Sequence, residues 1–497
     1  MSHPGQWAKE KPDHPAVRLD GAEQSYAEFE ARSQALSERL VADGAKTGDV
    51  VALWARNHID YLTAAWGIHR AGLYVLPVAA SLTLDEADYI LKDSEAVRLI
   101  ADEERANKTS DIPVWTLGDD LFTAPQNAHA SPELEGGDMM YTSGTTGKPK
   151  GVRRPLSGSP LGSETRRAGR LSELFGMDGD TVFLSPAPLY HAAPYRFATT
   201  VLRLGGTVEL MQRFDAKDAL QRLERATHSQ WVPTMFARLL TLPNAVKCSL
   251  SAPKHRKAIH AGAPCPPDVK RAMIDWWGPI LHEYYSGTES IGFTHIDSPD
   301  WLERPGSVGR PWGCKVHILD AGGKEVPTGE TGAVYFSGKR GLSYHNAPEK
   351  TDAAHRGDLA TMGDIGHVDA DGFLYLTDRH AFTILSGGVN VYPREVEDAL
   401  SNHPDVIQLA VIGVPDADFG QAVQAVVEAR AGANESDLAQ DLHRLARERL
   451  APFKRPKSIA FAPLPLTESG KVRKRDLIAT YTAPDARGYR PQKEAAA

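Results

Sequence analysis

Twelve residues, Tyr141-Thr142-Ser143-Gly144-Thr145-Thr146-Gly147-Lys148-Pro149-Lys150-Gly151-Val152, constrain this chain more than any other stretch. Three glycines and a cluster of hydroxyls stand between an apolar lead-in and two lysines. Glycine permits φ > 0, so successive N–H groups can point into one concavity. The hydroxyls add donors, and the lysines add charge for an anion such as a triphosphate. The nucleotide P-loop, G-x-x-x-x-G-K-[ST], does not fit. Thr142 stands where its first glycine belongs, and Pro149 where Ser or Thr would hold magnesium. This is a phosphate loop of another kind.

The flanking sequence alternates between strand and helix. Ser25-Tyr26-Ala27-Glu28 is a capping box, and Phe29, Leu36 and Leu40 follow at helical spacing, so a helix leaves residue 26. Val50–Trp54 and Tyr74–Val78 read as buried strands separated by a helix near 58–71, with another strand at Val97–Ala101. Such alternation predicts parallel sheet covered by helices. Beyond the loop, a strand over 180–185 ends at Pro186-Ala187-Pro188-Leu189-Tyr190-His191, and a helix near 194–203 follows. Then come a strand at Val208–Met211, an amphipathic helix over 214–226, and a new segment opening at Trp231-Val232-Pro233-Thr234. Lys257–His260 runs into Gly262-Ala263-Pro264, and Leu281–Tyr285 into Ser286-Gly287-Thr288-Glu289. Junctions of this type can converge at one edge of a parallel sheet, where α/β sites lie.

From about 306 the texture changes to short strands (Lys315–Leu319, Gly332–Phe336, Gly372–Leu376) between Gly, Pro and Asp turns, a small barrel or meander. After Asp378-Arg379 a block with strands at Ile407–Val414 and Ala422–Ala429 and a helix near 436–450 reads as a separate α+β unit. The tail beyond about 482 is polar and is expected to be disordered.

A chain of 497 residues exceeds what one core usually holds, so at least two domains are expected. A formal charge of -8 leaves no basic footprint for nucleic acid. Cys248, Cys265 and Cys314 are too few and too scattered for a disulfide framework, which suits a reducing compartment. The N-terminal residues lack a signal-peptide core, and the most apolar stretch, Leu62–Ala80, is broken by His69, Arg70 and Pro77. A cytoplasmic protein without a membrane span is expected. Cys248, His255, His260 and Cys265 do not have zinc-pair spacing.

The ordered run from Thr142 to Gly151 resembles the signature of the adenylate-forming superfamily, which includes acyl-CoA synthetases, and further motifs extend the resemblance from about residue 5 to about 480. The resemblance implies an α/β fold. A large adenylation domain, 1–379, would hold two parallel-type sheets with covering helices and a small β-barrel. A small mobile α+β lid, 380–497, would follow. It also implies two steps: a carboxylate attacks the α-phosphate of ATP to give acyl-AMP and pyrophosphate, and CoA then displaces AMP. Negative charge accumulates in both, so positive charge and oriented donors matter more than a protein nucleophile.

Residue by residue, Thr142, Ser143, Gly144, Thr145, Thr146, Gly147 and Lys148 would hold the phosphates, with Thr145 also a catalytic donor and metal ligand. Tyr285-Ser286-Gly287-Thr288-Glu289 resembles Y-G-x-T-E with Ser286 replacing its glycine; Glu289 would hold Mg²⁺ and Thr288 a phosphate oxygen. Gly262 and Ala263 would lie against adenine, while Asp364 and Arg379 would take the ribose, Met362 being an extra residue within T-G-D. Lys471, in a T-x-x-G-K-like motif, would be the catalytic cation carried on the lid. Its departure would admit CoA along Ser386, Gly387 and Gly388. The pivot position, usually Asp or Lys, is Ala381. His191 in P-L-Y-H would meet the carboxylate. Ala192, Ala193, Phe197, Trp231 and Ser286 would line the acid pocket, with Arg196 facing a distal polar group. No acidic residue occurs over 187–208 to catch an α-ammonium, which disfavours amino acids. A carrier-protein thiol as acceptor, a non-catalytic nucleotide-binding scaffold, and a homodimer all stay open.

Overall fold

The computed structural model describes residues 3–107, 112–124, 130–142, 149–163, 166–249, 251–338, 343–379, 382–386, 389–416, 419–467 and 471–482. The capping box forms as expected. Ser25 Oγ accepts from the Glu28 amide at 3.3 Å and Glu28 reaches back to the Ser25 amide at 2.8 Å, starting the helix Tyr26–Ala42. Phe29, Leu36 and Leu40 on its inner face are buried.

The first sheet runs in the order Val114–Thr116, Ala96–Ala101, Val50–Trp54, Tyr74–Val78, Gly137–Thr142, Lys150–Arg153. All pairs are parallel except the last, where Thr142 opposes Lys150 across the phosphate loop. Val50–Trp54 and Tyr74–Val78 are buried along their whole length, as strands covered on both faces must be.

The second sheet has a parallel centre ordered Leu281–Tyr285, Lys257–His260, His228–Trp231, Val182–Ser185, Thr207–Leu210, Pro15–Leu19. The segment read as opening at Trp231 in fact contains a strand that ends there. The β-rich stretch after 306 is not a detached unit. Through antiparallel Thr294–Asp297 and Ser307–Pro311 the same sheet continues into Leu374–Arg379, Asp364–Val368 and Gly332–Ser337. One core, including Val51, Leu53, Trp66, Phe183, Phe197 and Val208, is shared by both sheets and the helices Tyr61–Arg70 and Ala192–Leu204 between them.

A third sheet pairs Val389–Val391, Ile384–Ser386, Gly420–Ala429 and Val406–Asp416, with Ser458–Phe461 parallel to Gly420–Ala429. Helices Pro393–Leu400 and Glu435–Arg449 cover one face through Val396, Leu438 and Leu442, and Lys474–Thr482 covers the other through Leu477. The fold is α/β with this smaller α+β portion at its C-terminal end. No helix among the described residues is long and apolar enough to cross a membrane.

Candidate active site

Parallel strands deliver their following loops to one edge, so four segments meet there: Pro186–His191, Val232 onward, Ala261–Ala263 and Ser286–Glu289. His191 is the N-cap residue of Ala192–Leu204 but makes no side-chain cap, so its ring is left to the site. Its Nε2 is shut off from solvent and has no hydrogen-bond partner among the described residues. Burial, and then the charge of Lys471, push its pKa down to about 3, so the imidazole is neutral at pH 7.

Lys471 reaches this edge from the C-terminal portion. Its backbone closes a turn with Thr467, whose amide donates to the Lys471 carbonyl at 2.8 Å and whose hydroxyl accepts from the Lys471 amide at 3.0 Å. The side chain lies against Gly262, where a Cβ would stand 3.6 Å from Nζ. Gly262 has φ +87°, which an L side chain rarely adopts, so backbone and cation share a space reserved for glycine.

Tyr344 Oη donates to Glu289 Oε1 at 2.9 Å, and the Lys150 ammonium sits 4.6 Å from the centre of the Tyr344 ring. Among the described residues no cation lies within 4.0 Å of Glu289. A hard carboxylate in that condition fits magnesium, which commonly takes one or two carboxylates and fills its shell with phosphate and water. Gly287 is tightly enclosed. A Cβ there would lie 2.5 Å from Met362 Sδ and 2.6 Å from Glu289 Oε2, so Met362, the extra residue in its motif, packs against the turn that carries Glu289. Tyr285 Oη donates to Asp364 Oδ2 at 2.5 Å, and Asp364 opposes Arg379 in the strand register.

Ser143–Lys148, Ala381, Gly387 and Gly388 lie outside the described residues, as do the side chains of Thr142 and Arg379. Ser386 is buried in the third sheet opposite Val389. Ser286 Oγ donates to the Gly292 carbonyl at 2.6 Å and closes its own loop. Ala193 is half-buried, and Phe197 packs with Phe175, Phe183 and Tyr284 at 5.8 Å each. Two expectations for the pocket change. Trp231 is 1% exposed, packs against Phe236 and Trp277, and donates to Ser229 Oγ, so it belongs to the core on the far face of its strand. Strand alternation turns Gln230 the other way, to the Tyr284 hydroxyl at 3.2 Å. Arg196 is engaged by Asp138, at 2.7 and 2.9 Å, so it does not wait for a distal substrate group. Sequence reading passed over Gln230, Asp138 and Tyr344; a strand placed at 228–231 would have exposed the first by its period of two.

The chain matches the family model described as AMP-binding enzyme over residues 5–343, and that described as AMP-binding enzyme C-terminal domain over 395–471. It is 33% identical over 489 residues to a feruloyl-CoA synthase of Amycolatopsis sp, covering 95% of this chain and 97% of that one. A 2-succinylbenzoate–CoA ligase of Geobacillus kaustophilus is 32% identical over 495 residues, covering 95% and 96%. Among solved structures, the o-succinylbenzoate CoA synthetase of Bacillus subtilis, in complex with its acyl-adenylate intermediate, superposes with a TM-score of 0.83 at 26% identity. That match covers 100% of this chain and 99% of the other.

Proposed function

We infer the reaction from one premise: this chain belongs to the AMP-binding, adenylate-forming enzyme family. It is an acid–CoA ligase. A carboxylate oxygen bonds to the α-phosphorus of ATP as pyrophosphate leaves; the CoA sulfur then bonds to the acyl carbon as AMP leaves. In our reading residues 1–379 bind ATP and the acid, and 380–497 form the lid. Lys471 neutralises the charge shared by carboxylate and α-phosphate as they meet. Neutral His191 orients the carboxylate without adding charge of its own. Asp364 and Arg379 take the ribose, Gly262 and Ala263 flank adenine, and the loop from Thr142 to Lys148 takes the outer phosphates. Glu289 holds magnesium, which when bound draws charge from the phosphate oxygens. Ser386, Gly387 and Gly388 pass the pantetheine arm.

We assign a ring-bearing acid as substrate. Small Ala192 and Ala193 beside His191 leave width there. The packed rings of Phe197, Tyr284 and Phe293 stand along the same face, Tyr284 and Phe293 stacking at 5.3 Å. The named relatives carrying ferulate and succinylbenzoate support it. Cys248, Cys265 and Cys314 are free thiols, which suits the cytoplasm.

The observation that carries this reading is Lys471 against Gly262 and close enough to His191 to depress its basicity. Lys471→Ala is expected to abolish acid-dependent ATP–pyrophosphate exchange while still converting supplied acyl-AMP and CoA to thioester. Equal loss of both half-reactions would sink the assignment. Offering holo carrier protein beside free CoA identifies the acceptor.

A further inference from the structure

Of the two arginines on the helix Ala192–Leu204, Arg196 is the one nearer its start, and the two reaction steps leave it without a task. Its guanidinium is a rigid fork of five donors. Nε and Nη2 both donate to Asp138 Oδ2, at 2.9 and 2.7 Å. Nη1 donates to the Thr288 carbonyl at 3.1 Å and to Ser290 Oγ at 3.0 Å. Asp138 lies on the strand Gly137–Thr142 that feeds the phosphate loop. Thr288 and Ser290 flank Glu289 on either side. One side chain therefore ties the acid-side helix, the strand of the phosphate loop and the turn of the magnesium carboxylate to each other.

That turn needs holding. Ser290 has φ +52°, a left-handed conformation that strains a non-glycine residue and persists where surroundings impose it. Its amide donates to the Gly287 carbonyl at 3.0 Å, and its carbonyl accepts from Arg154 Nη2 at 3.1 Å. The Arg154 backbone is anchored in turn, its carbonyl accepting from Tyr74 Oη at 2.6 Å. With Arg196 on the Thr288 carbonyl and the Ser290 hydroxyl, and Tyr344 on Oε1, the half-buried carboxylate of Glu289 is held in direction. A lysine at 196 offers a point charge and cannot span Asp138 and both acceptors.

We propose that Arg196 is a positioning residue: it sets Glu289 for the metal–nucleotide and does not recognise the acyl group. The proposal rests on the reading of Glu289 as the metal carboxylate, so the test separates the two. ATP binding to the full chain is measured by calorimetry with and without Mg²⁺. Arg196→Gln and Arg196→Lys are expected to weaken MgATP binding by about tenfold or more, as partners of metal ligands do, and to leave metal-free ATP within about twofold. Glu289→Gln should show the same pattern. If it binds MgATP like the wild type, the reading of Glu289 fails, whatever Arg196 does.

Arg203→Gln is the control. Arg203 lies on the same helix as Arg196, and the change breaks its buried pair with Glu135, at 2.7 and 3.0 Å; it is expected to lower Tm without altering the magnesium dependence. Should Arg196→Gln not fold, Ser290→Ala removes one acceptor of the fork and carries the same sign, about threefold. Wild-type magnesium dependence in the Arg196 variants, or a change confined to KM for the acid, overturns the proposal.

Discussion

Lys270 is fully buried, and its ammonium ends 2.7 Å from Glu283 Oε2 and 4.8 Å from the centre of the Trp301 ring. Removing one partner of such a pair strands a charge in the core, which costs about 3–5 kcal/mol, whereas replacing both by apolar groups is often close to neutral. Lys270→Met is therefore expected to lower the unfolding free energy read from a denaturant titration by that amount, and Lys270→Met with Glu283→Leu to recover most of it. A double variant no better than the single one would contradict this. Glu283 occupies the strand Leu281–Tyr285 that ends in the Glu289 turn, so the pair supports the site at a distance. Neither member has a signature in sequence. The pairing of Asp138 with Arg196, which meet across 58 positions, had none either. Long-range polar pairs depend on strand order, and strand order is what a linear reading lacks. Lys471, His191 and Glu289 could be singled out as candidates because each sits in a short motif whose members are local in sequence.

At the scale of elements, the lower part of the second sheet carries a row of buried and half-buried histidines. Lys257 Nζ donates to His282 Nε2 at 2.9 Å, which leaves His282 Nδ1–H to donate to His295 Nε2 at 2.9 Å; the two rings stack at 5.1 Å. His228 Nε2 donates to the Phe175 carbonyl at 2.9 Å. This order of donors requires His282 to be neutral. Burial, then Lys257, pushes His282 down to about 3; burial takes His295 and His228 to about 4, Asp297 and the Phe175 carbonyl opposing it. Their unfolded values are near 6.5, so between there and about 4 the unfolded chain binds the extra protons. Stability is whole above pH 6.5 and is lost as pH falls. At pH 5 the loss is about 2 kcal/mol per histidine. Thermal unfolding at steps from pH 7.5 to 5 should show Tm falling, with a shallower slope in His282→Gln; a flat wild-type profile would contradict the assignment. The strand Lys257–His260 that begins at this row was legible in sequence, as was Leu281–Tyr285, because each has an apolar stretch and ends at a glycine-containing loop. His228–Trp231 was not, since three of its four residues are polar and are made burial-compatible only by partners such as Tyr284, His255 and the Phe175 carbonyl.

For the whole molecule, the order of motifs along the chain already implied that the cation on the C-terminal portion must reach the nucleotide edge, and Lys471 lies there. With that side chain in place, Ser386 is paired within the third sheet, and the proposed mechanism calls for a second arrangement in which CoA replaces the cation. Rotation would turn on the backbone after Arg379, at Ala381, where the resemblance leads one to expect Asp or Lys. Alanine lacks the charge usual at that position and does not restrict φ as proline does. Proline would fix φ near −65° and restrict His380 before it. Ala381→Pro is therefore expected to keep acid-dependent ATP–pyrophosphate exchange near the wild-type rate. It should slow acyl transfer from bound acyl-AMP to CoA by about a hundredfold, the scale of loss when reacting groups are misplaced by an ångström. Rapid-quench measurement of both half-reactions on one preparation decides it. If the two fall together, or if transfer to CoA is unaffected, the molecule does not work by turning its lid about this residue.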